Sequence, residues 1–275
     1  MRINIVTLFP DFFAGPLGLS IPARAAGVGS VEYRVIALRD FTHDKHQTVD
    51  DYPFGGGPGM VMKPGPFFEA VESLGVRAPI VMLSPRGKRF GHDDAVRFAA
   101  GTELTLLCGH YKDVDERVAQ HLATEELSLG DFVLSGGEPA ALAIVDAVVR
   151  LLPGAMSDID SARTDSFYDR GISAPSYTRP ADFRGLLVPE LLQSGDHQKI
   201  AQWRAAESLS RTREAEARDR VAWSAREAQI AAREAILREE ARLDAQRSAK
   251  RAARTAAKRR QRARRVSPPS LDVDE

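Results

Sequence analysis

Ile80-Val81-Met82-Leu83-Ser84-Pro85-Arg86-Gly87 is an apolar run that stops abruptly in a small, polar turn. The same pattern returns in Leu104-Thr105-Leu106-Leu107-Cys108-Gly109-His110-Tyr111 and in Phe132-Val133-Leu134-Ser135-Gly136-Gly137. A strand that is apolar on both faces needs cover on both, which places it in a parallel sheet between helices and sets the fold class as α/β. In open α/β sheets ligands bind in the crevice beyond the carboxyl ends of the strands, where glycine lets backbone approach closely. Taken singly, each loop reads as a tight turn. The three together could equally cradle a nucleoside-like cofactor through backbone N–H and C=O groups. Neither G-x-G-x-x-G after a strand nor G-x-x-x-x-G-K-[ST] occurs, so dinucleotide and P-loop readings lose support.

Outward from these runs, strands are expected at 3–8, 31–37, 80–83, 104–108 and 132–134, and helices at 67–73, 93–99, 114–121 and 140–152. Residues 153–176 show no periodicity, and a structureless stretch of that length is usually functional or a linker. Residues 177–212 mix Pro, Trp and short helical patterns, as a small second domain would. Beyond Thr212 the chain is almost entirely Ala, Arg, Glu and Gln with no Gly or Pro before Pro268, which predicts a long exposed helix. Its apolar anchors are too sparse for a heptad seam. The expected organisation is a first domain at 1–156, a linker at 157–176, a small helical domain at 177–215, a charged helical extension at 216–265 and a disordered tail at 266–275.

The 275 residues hold 38 Lys plus Arg against 38 Asp plus Glu, 43% hydrophobic and 28% charged residues, an ordinary globular composition. One cysteine, Cys108, excludes a disulfide scaffold and a multi-cysteine metal site. No apolar run reaches a membrane span. The N-terminal Met1-Arg2-Ile3-Asn4-Ile5-Val6 reads as a buried strand and not as a signal peptide, so a cytoplasmic location is expected. The neutral total hides a polarity: residues 241–275 carry a net +7 and the rest a net −7. Such asymmetry fits a basic arm for nucleic acid, and equally a solvated helical tail.

Other features are less directive. Tyr52-Pro53-Phe54-Gly55-Gly56-Gly57-Pro58-Gly59-Met60 can be neither helix nor regular strand, only a connector or a close-approach surface. His43 and His46 lack a third zinc ligand at suitable spacing. Asp146 and Arg150 stand at i, i+4 and are expected on one helix face, where a surface pair is the usual outcome. Asp165 lies in the long linker, where it could act as a base if the loop folds over the crevice.

The stretches RDFTHDKHQTVDD (39–51), FGGGPGM (54–60), LSPRG (83–87), CGHY (108–111), DER (115–117), GDFVLSGGE (130–138) and YTRP (177–180) occur in order. Over roughly residues 1–212 they closely resemble the bacterial tRNA (guanine-N1)-methyltransferases of the TrmD type. The resemblance implies a SPOUT-class domain with a deep trefoil knot that binds S-adenosyl-L-methionine. It also implies a homodimer with active sites at the subunit interface, no membrane partner, and tRNA methylated at N1 of the guanosine immediately 3′ of the anticodon (guanosine-37). Carried over by residue, the cofactor cradle is Leu83, Ser84, Pro85, Gly109, Tyr111, Leu129, Gly130, Asp131, Phe132, Val133, Leu134, Gly136 and Gly137. Asp165 matches the general base and Arg150 the arginine that stabilises the guanine. Asp50, Gly55, Gly56, Gly57, Gly59 and Ser194 are expected to contact the substrate. The family is described as Mg²⁺-dependent, yet no metal cage is legible, so an ion would act on substrate and acidic side chains.

This chain departs from the pattern in three places. Lys112-Asp113 stands where Glu-Gly is usual, Pro139-Ala140 where Leu-Pro is common, and the Ala/Arg/Glu helix replaces a short ending. Residues 250–265 are expected to add nonspecific phosphate contacts. The alternatives are a related SPOUT methyltransferase with another RNA target and a noncatalytic RNA-binding factor; the presence of both Asp165 and Arg150 argues against the latter.

Overall fold

The computed structural model describes residues 1–76, 79–156, 164–168 and 171–266. The chain divides into two compact units, Met1–Ser173 and Ala174–Glu275.

The first unit is built on a five-stranded parallel sheet of β1 (Arg2–Thr7), β2 (Glu32–Ala37), β5 (Ile80–Arg89), β6 (Glu103–Cys108) and β8 (Glu125–Ser128), in the order β2-β1-β6-β5-β8. A one-turn helix, α1 (Ala14–Leu17), leads from β1 toward α2 (Ser20–Gly27). Because side chains alternate along a strand, the interior strands feed two cores. Ile3, Ile5, Val81, Leu104 and Leu106 pack on one face with Ala25 of α2, Phe98 of α4 (His92–Ala99) and Ile144, Val145 and Val148 of α6 (Glu138–Val149). Val6, Ile80, Met82 and Leu107 pack on the other with Phe67, Ala70 and Val71 of α3 (Pro64–Leu74) and Val118 of α5 (Glu116–His121). A small second sheet joins β3 (Asp50–Asp51), β4 (Val61–Met62) and β7 (Asp113–Val114).

Several expected elements change. The strand expected at 132–134 is a loop whose Phe132, Val133 and Leu134 are exposed; the fifth strand is β8 instead. β8 begins with two glutamates, which an edge strand tolerates because Arg97 and Arg86 neutralise Glu125 and Glu126. β5 runs on past Leu83 to Arg89. Helix α5 starts at Glu116 because Val114 belongs to β7 and Asp115 caps the helix by accepting the Arg117 N–H at 3.0 Å. α6 begins two residues earlier than expected and ends at Val149, with Arg150 as its C-cap.

In the second unit, β9 (Asp182–Phe183) and β10 (Leu186–Leu187) form a hairpin whose two turn residues, Arg184 and Gly185, both have positive φ, the twist a two-residue hairpin favours. α7 (Glu190–Gln193) precedes α8 (His197–Val266). The helix expected after Thr212 therefore begins at His197, and one 70-residue helix crosses the boundary expected at 215/216. Nothing between Gly195 and Pro268 breaks it. Residues 157–163, 169–170 and 267–275, which hold much of the expected linker and nearly all of the expected tail, lie outside the described residues.

Candidate active site

The break in the middle of β5 and the carboxyl ends of β6 and β8 open onto one cavity of about 330 Å³, and each wall has a local cause. Leu83 and Lys88 of β5 both pair with Leu127 of β8, so residues 84–87 are an excursion from the ladder. Pro85 has no N–H to give the ladder. Gly87 closes the excursion against β8, where a Cβ would lie 2.5 Å from the backbone of Glu126 and Leu127.

β6 ends on Cys108, and the chain turns through Gly109 to Tyr111, which sits at φ 60. The third wall, residues 129–137, is pinned to the second. Gly137 N–H donates to the Gly109 carbonyl at 2.8 Å, and His110 bridges Gly136. A Cβ on Gly137 would meet Cys108 Cα at 2.8 Å. At the base of this wall Ser128 closes the turn, donating to the Gly130 carbonyl and accepting its N–H.

Twelve of the thirteen residues expected to hold a cofactor line this cavity. Asp131 does not: it pairs with Arg89 at 2.9 Å. Arg86 and His110, which stand in two of the expected loops, and Lys112, which follows one of them, also line it, as do Met82 and Ser128, which the sequence reading missed. Arg86 lies within LSPRG, and its isolated charge beside a strand end was the available signal. Its guanidinium bridges Glu126 at 2.9 Å and Glu116 at 2.7 Å, and the bond to Glu126 above all holds its pKa above the ordinary value.

Beneath His110 lies Glu138, buried and accepting a 2.7 Å hydrogen bond from Thr7. His110 Nδ1 stands 4.0 Å from its other oxygen and has no hydrogen-bond partner. Burial, with Glu138 nearby, pushes the Cys108 thiol well up, so it stays protonated and is a poor nucleophile.

Arg150 does not form the surface pair with Asp146 that their spacing usually gives. From the end of α6 its Nη2 donates to the Asp165 carboxylate, so the expected base and its arginine meet as an ion pair. Neither lines the cavity of its own chain. Asp146 instead lies near Tyr33, whose phenol is pushed up to about 12, chiefly by burial.

Asp50 pairs with Met62 in the small sheet. Gly55, Gly56, Gly57 and Gly59 all have positive φ, and Phe54 between them and Pro53 is fully exposed. This loop abuts the cavity rim through Lys112 N–H, which donates to the Met60 carbonyl at 3.0 Å. Ser194 stands in the second unit at the end of α7, its hydroxyl donating to the Leu191 carbonyl. His43 contacts Glu69 at 2.7 Å. Among the described residues no three His, Cys, Asp or Glu side chains converge as a metal site.

A family profile described as tRNA (Guanine-1)-methyltransferase TrmD matches residues 1–219. The chain belongs to the tRNA (guanine-N1)-methyltransferase family. A tRNA (guanine-N(1)-)-methyltransferase from Geobacillus kaustophilus (strain HTA426) is 52% identical over 215 residues, 77% of this chain and 88% of that protein. The enzyme of the same name from Gloeobacter violaceus (strain ATCC 29082 / PCC 7421) is 54% identical over 217 residues, 78% of this chain and 96% of that protein. The family match takes in every candidate site residue and the first third of α8, and it stops before the rest of that helix.

Proposed function

We propose that this chain transfers a methyl group from S-adenosyl-L-methionine to N1 of the guanosine immediately 3′ of the anticodon in tRNA. The observation that carries the reading is the cavity where the three loops meet, inside the segment that matches the methyltransferase family.

The cavity suits such a donor. Its size falls in the range of small-molecule sites, and apolar walls at Leu83, Leu129 and Leu134 alternate with bare backbone at Gly109, Gly136 and Gly137. Any side chain on Gly137 would fill that space with a clash. Among the described residues no cluster of His, Cys, Asp or Glu suits a protein-held Mg²⁺.

The bound donor supplies an electrophilic methyl on a sulfonium centre. N1 of guanine is protonated at neutral pH, so its lone pair becomes available only when a base takes that proton. Asp165 accepts it, within hydrogen-bond reach of N1–H in the productive complex. As the proton leaves, negative charge spreads to guanine O6, and the fixed guanidinium of Arg150 stabilises it. The Arg150–Asp165 ion pair keeps the two groups together before substrate arrives. The loops at Leu83–Pro85, Gly109–Tyr111 and Leu129–Gly137 would hold the donor and orient it toward N1, and that orientation would be the entropic part of the rate.

In this reading the active site is shared by two copies, one giving the cavity and the other Asp165. The location of Asp165 and Arg150 away from their own chain's cavity wall supports it. The trefoil knot that the resemblance implies would lie in the same region, where backbone passes backbone closely at Gly87 and Gly137. Asp50, the glycines at 55, 56, 57 and 59, and Ser194 contact the RNA. The location is cytoplasmic, where tRNA is modified; no helix among the described residues is long and apolar enough to cross a membrane.

The test is methyl transfer from labelled donor to tRNA transcripts with guanine or adenine 3′ of the anticodon. Incorporation with guanine alone is expected. Equal incorporation into both would assign another target, and none into either would leave an RNA-binding factor.

A further inference from the structure

We infer that the end of α8, residues 250–265, is a docking surface for the phosphate backbone of the tRNA, built onto this chain outside the family's shared region. The inference rests on the reading above that the substrate is RNA.

Charge along α8 changes abruptly. Residues 220–249 hold six Lys or Arg and five Asp or Glu, and among them Arg238 pairs with Glu234 at 3.4 Å and Arg242 with Glu239 at 3.7 Å. Residues 250–265 hold nine Lys or Arg and no acid. The backbone stays helical throughout.

Lys250, Arg254, Lys258 and Arg262 recur every fourth residue, so with Arg251 and Arg265 their positions fall on one side of the helix. Like charges at that spacing destabilise an isolated helix. The helix dipole offsets this only in the last turn. An external polyanion removes the repulsion along the whole segment.

The composition also selects the partner. Beyond the cations the segment contains only Ala, Thr and Gln. It has no large apolar side chain to fill a groove on a protein, and none to enter a membrane interface, where amphipathic helices insert Trp, Phe or Leu. What it offers is charge at high density over about 24 Å, complementary to a run of phosphates and indifferent to base identity. The chain outside residues 241–275 carries a net −7, so the tail also raises the affinity of an otherwise acidic protein for RNA.

The test uses the full chain with all nine cations of 250–265 changed to Gln, a strong helix former, alongside a version with all nine as Lys. The readout is the dependence of tRNA affinity on salt. The Gln variant should lose roughly 3 or more from the log–log slope, corresponding to about four phosphate contacts. Its affinity for a tRNA lacking the target guanine should fall equally, and donor affinity and turnover at saturating tRNA should not change. The Lys version should keep the wild-type slope.

An unchanged slope in the Gln variant overturns the inference. So does tighter RNA binding by that variant, which would place the tail on the chain's own acidic surface. So does a lost slope in the Lys version, or wild-type affinity for anionic vesicles matching that for tRNA. Absence of methyl transfer by the wild-type chain would remove the reading of the site and leave the salt slope as a separate result.

Discussion

Asp165 and Arg150 are joined in an ion pair at the end of α6, and each has a distinct expected consequence when changed. Asp165→Asn keeps the shape and removes the proton acceptor, so turnover should fall by about 10²- to 10⁴-fold with donor affinity nearly unchanged. Single-turnover rates and calorimetric titration separate the two, and a near-normal rate would assign the base elsewhere. Arg150→Lys keeps the charge but loses the planar fork, so it should lower turnover less than Asp165→Asn does. The glycines divide by physical role. At Gly137 the limit is space, since a Cβ would sit 2.8 Å from Cys108 Cα. Gly137→Ala should cost about 1–3 kcal/mol and weaken donor binding. Gly27, at the end of α2 with nothing within 4 Å of an added Cβ, makes the control: Gly27→Ala should stabilise by about 0.4–1 kcal/mol in urea unfolding. The glycine loops were legible in the sequence because a residue without a side chain after an apolar run has few other uses. The pairing of Asp131 with Arg89 was not legible, because nothing in the loop's sequence joins two residues so far apart in the chain.

The elements were legible where burial is two-sided. β1, β6 and the first half of β5 are apolar runs because helices cover both faces. β8 was not legible, since an edge strand with Glu125 and Glu126 depends on arginines contributed from 97 and 86. The second half of β5 was read as loop, and residues 84–87 are indeed an excursion, but the strand resumes at Lys88. Next to it, Asp94 anchors the start of α4. Burial pushes its pKa up, but hydrogen bonds from Lys88, Arg97 and the Gly91 N–H outweigh that and hold it below the ordinary 3.8. A carboxylate with a lowered folded pKa contributes stability that is present above its unfolded value and is lost as pH falls through the folded one. Asp94→Asn should therefore destabilise by about 1–3 kcal/mol at neutral pH. The difference from wild type should shrink below about pH 3.8, as read from chemical denaturation across pH. A pH-independent difference would contradict this origin.

At the scale of the whole molecule, neither the proposed shared active site nor the proposed knot can be read from periodicity, because both would depend on how segments distant in the chain, or in two chains, meet. Both are implied by the family resemblance, whereas the long helix was plain from composition alone. Its start at His197 was missed because the Trp203 region mixes polar and apolar residues without a clear face. The shared site has its own test. Chains carrying Asp165→Asn and, at donor concentrations too low to fill the weakened cavity, chains carrying Gly137→Ala should each show little activity alone. Mixed and allowed to exchange, they should recover roughly a quarter of wild-type activity, because half the dimers are hybrid and each hybrid holds one intact site. No recovery would place both groups in one chain.

All of this turns on what fills the cavity at the break in β5 and the ends of β6 and β8. The most direct measurement is a crystal structure of the chain grown with S-adenosyl-L-methionine. The donor should lie between the loops at Leu83–Pro85, Gly109–Tyr111 and Leu129–Gly137, with its methyl group open to solvent or RNA. A donor bound elsewhere, or a cavity left empty at saturating concentration, would contradict the account.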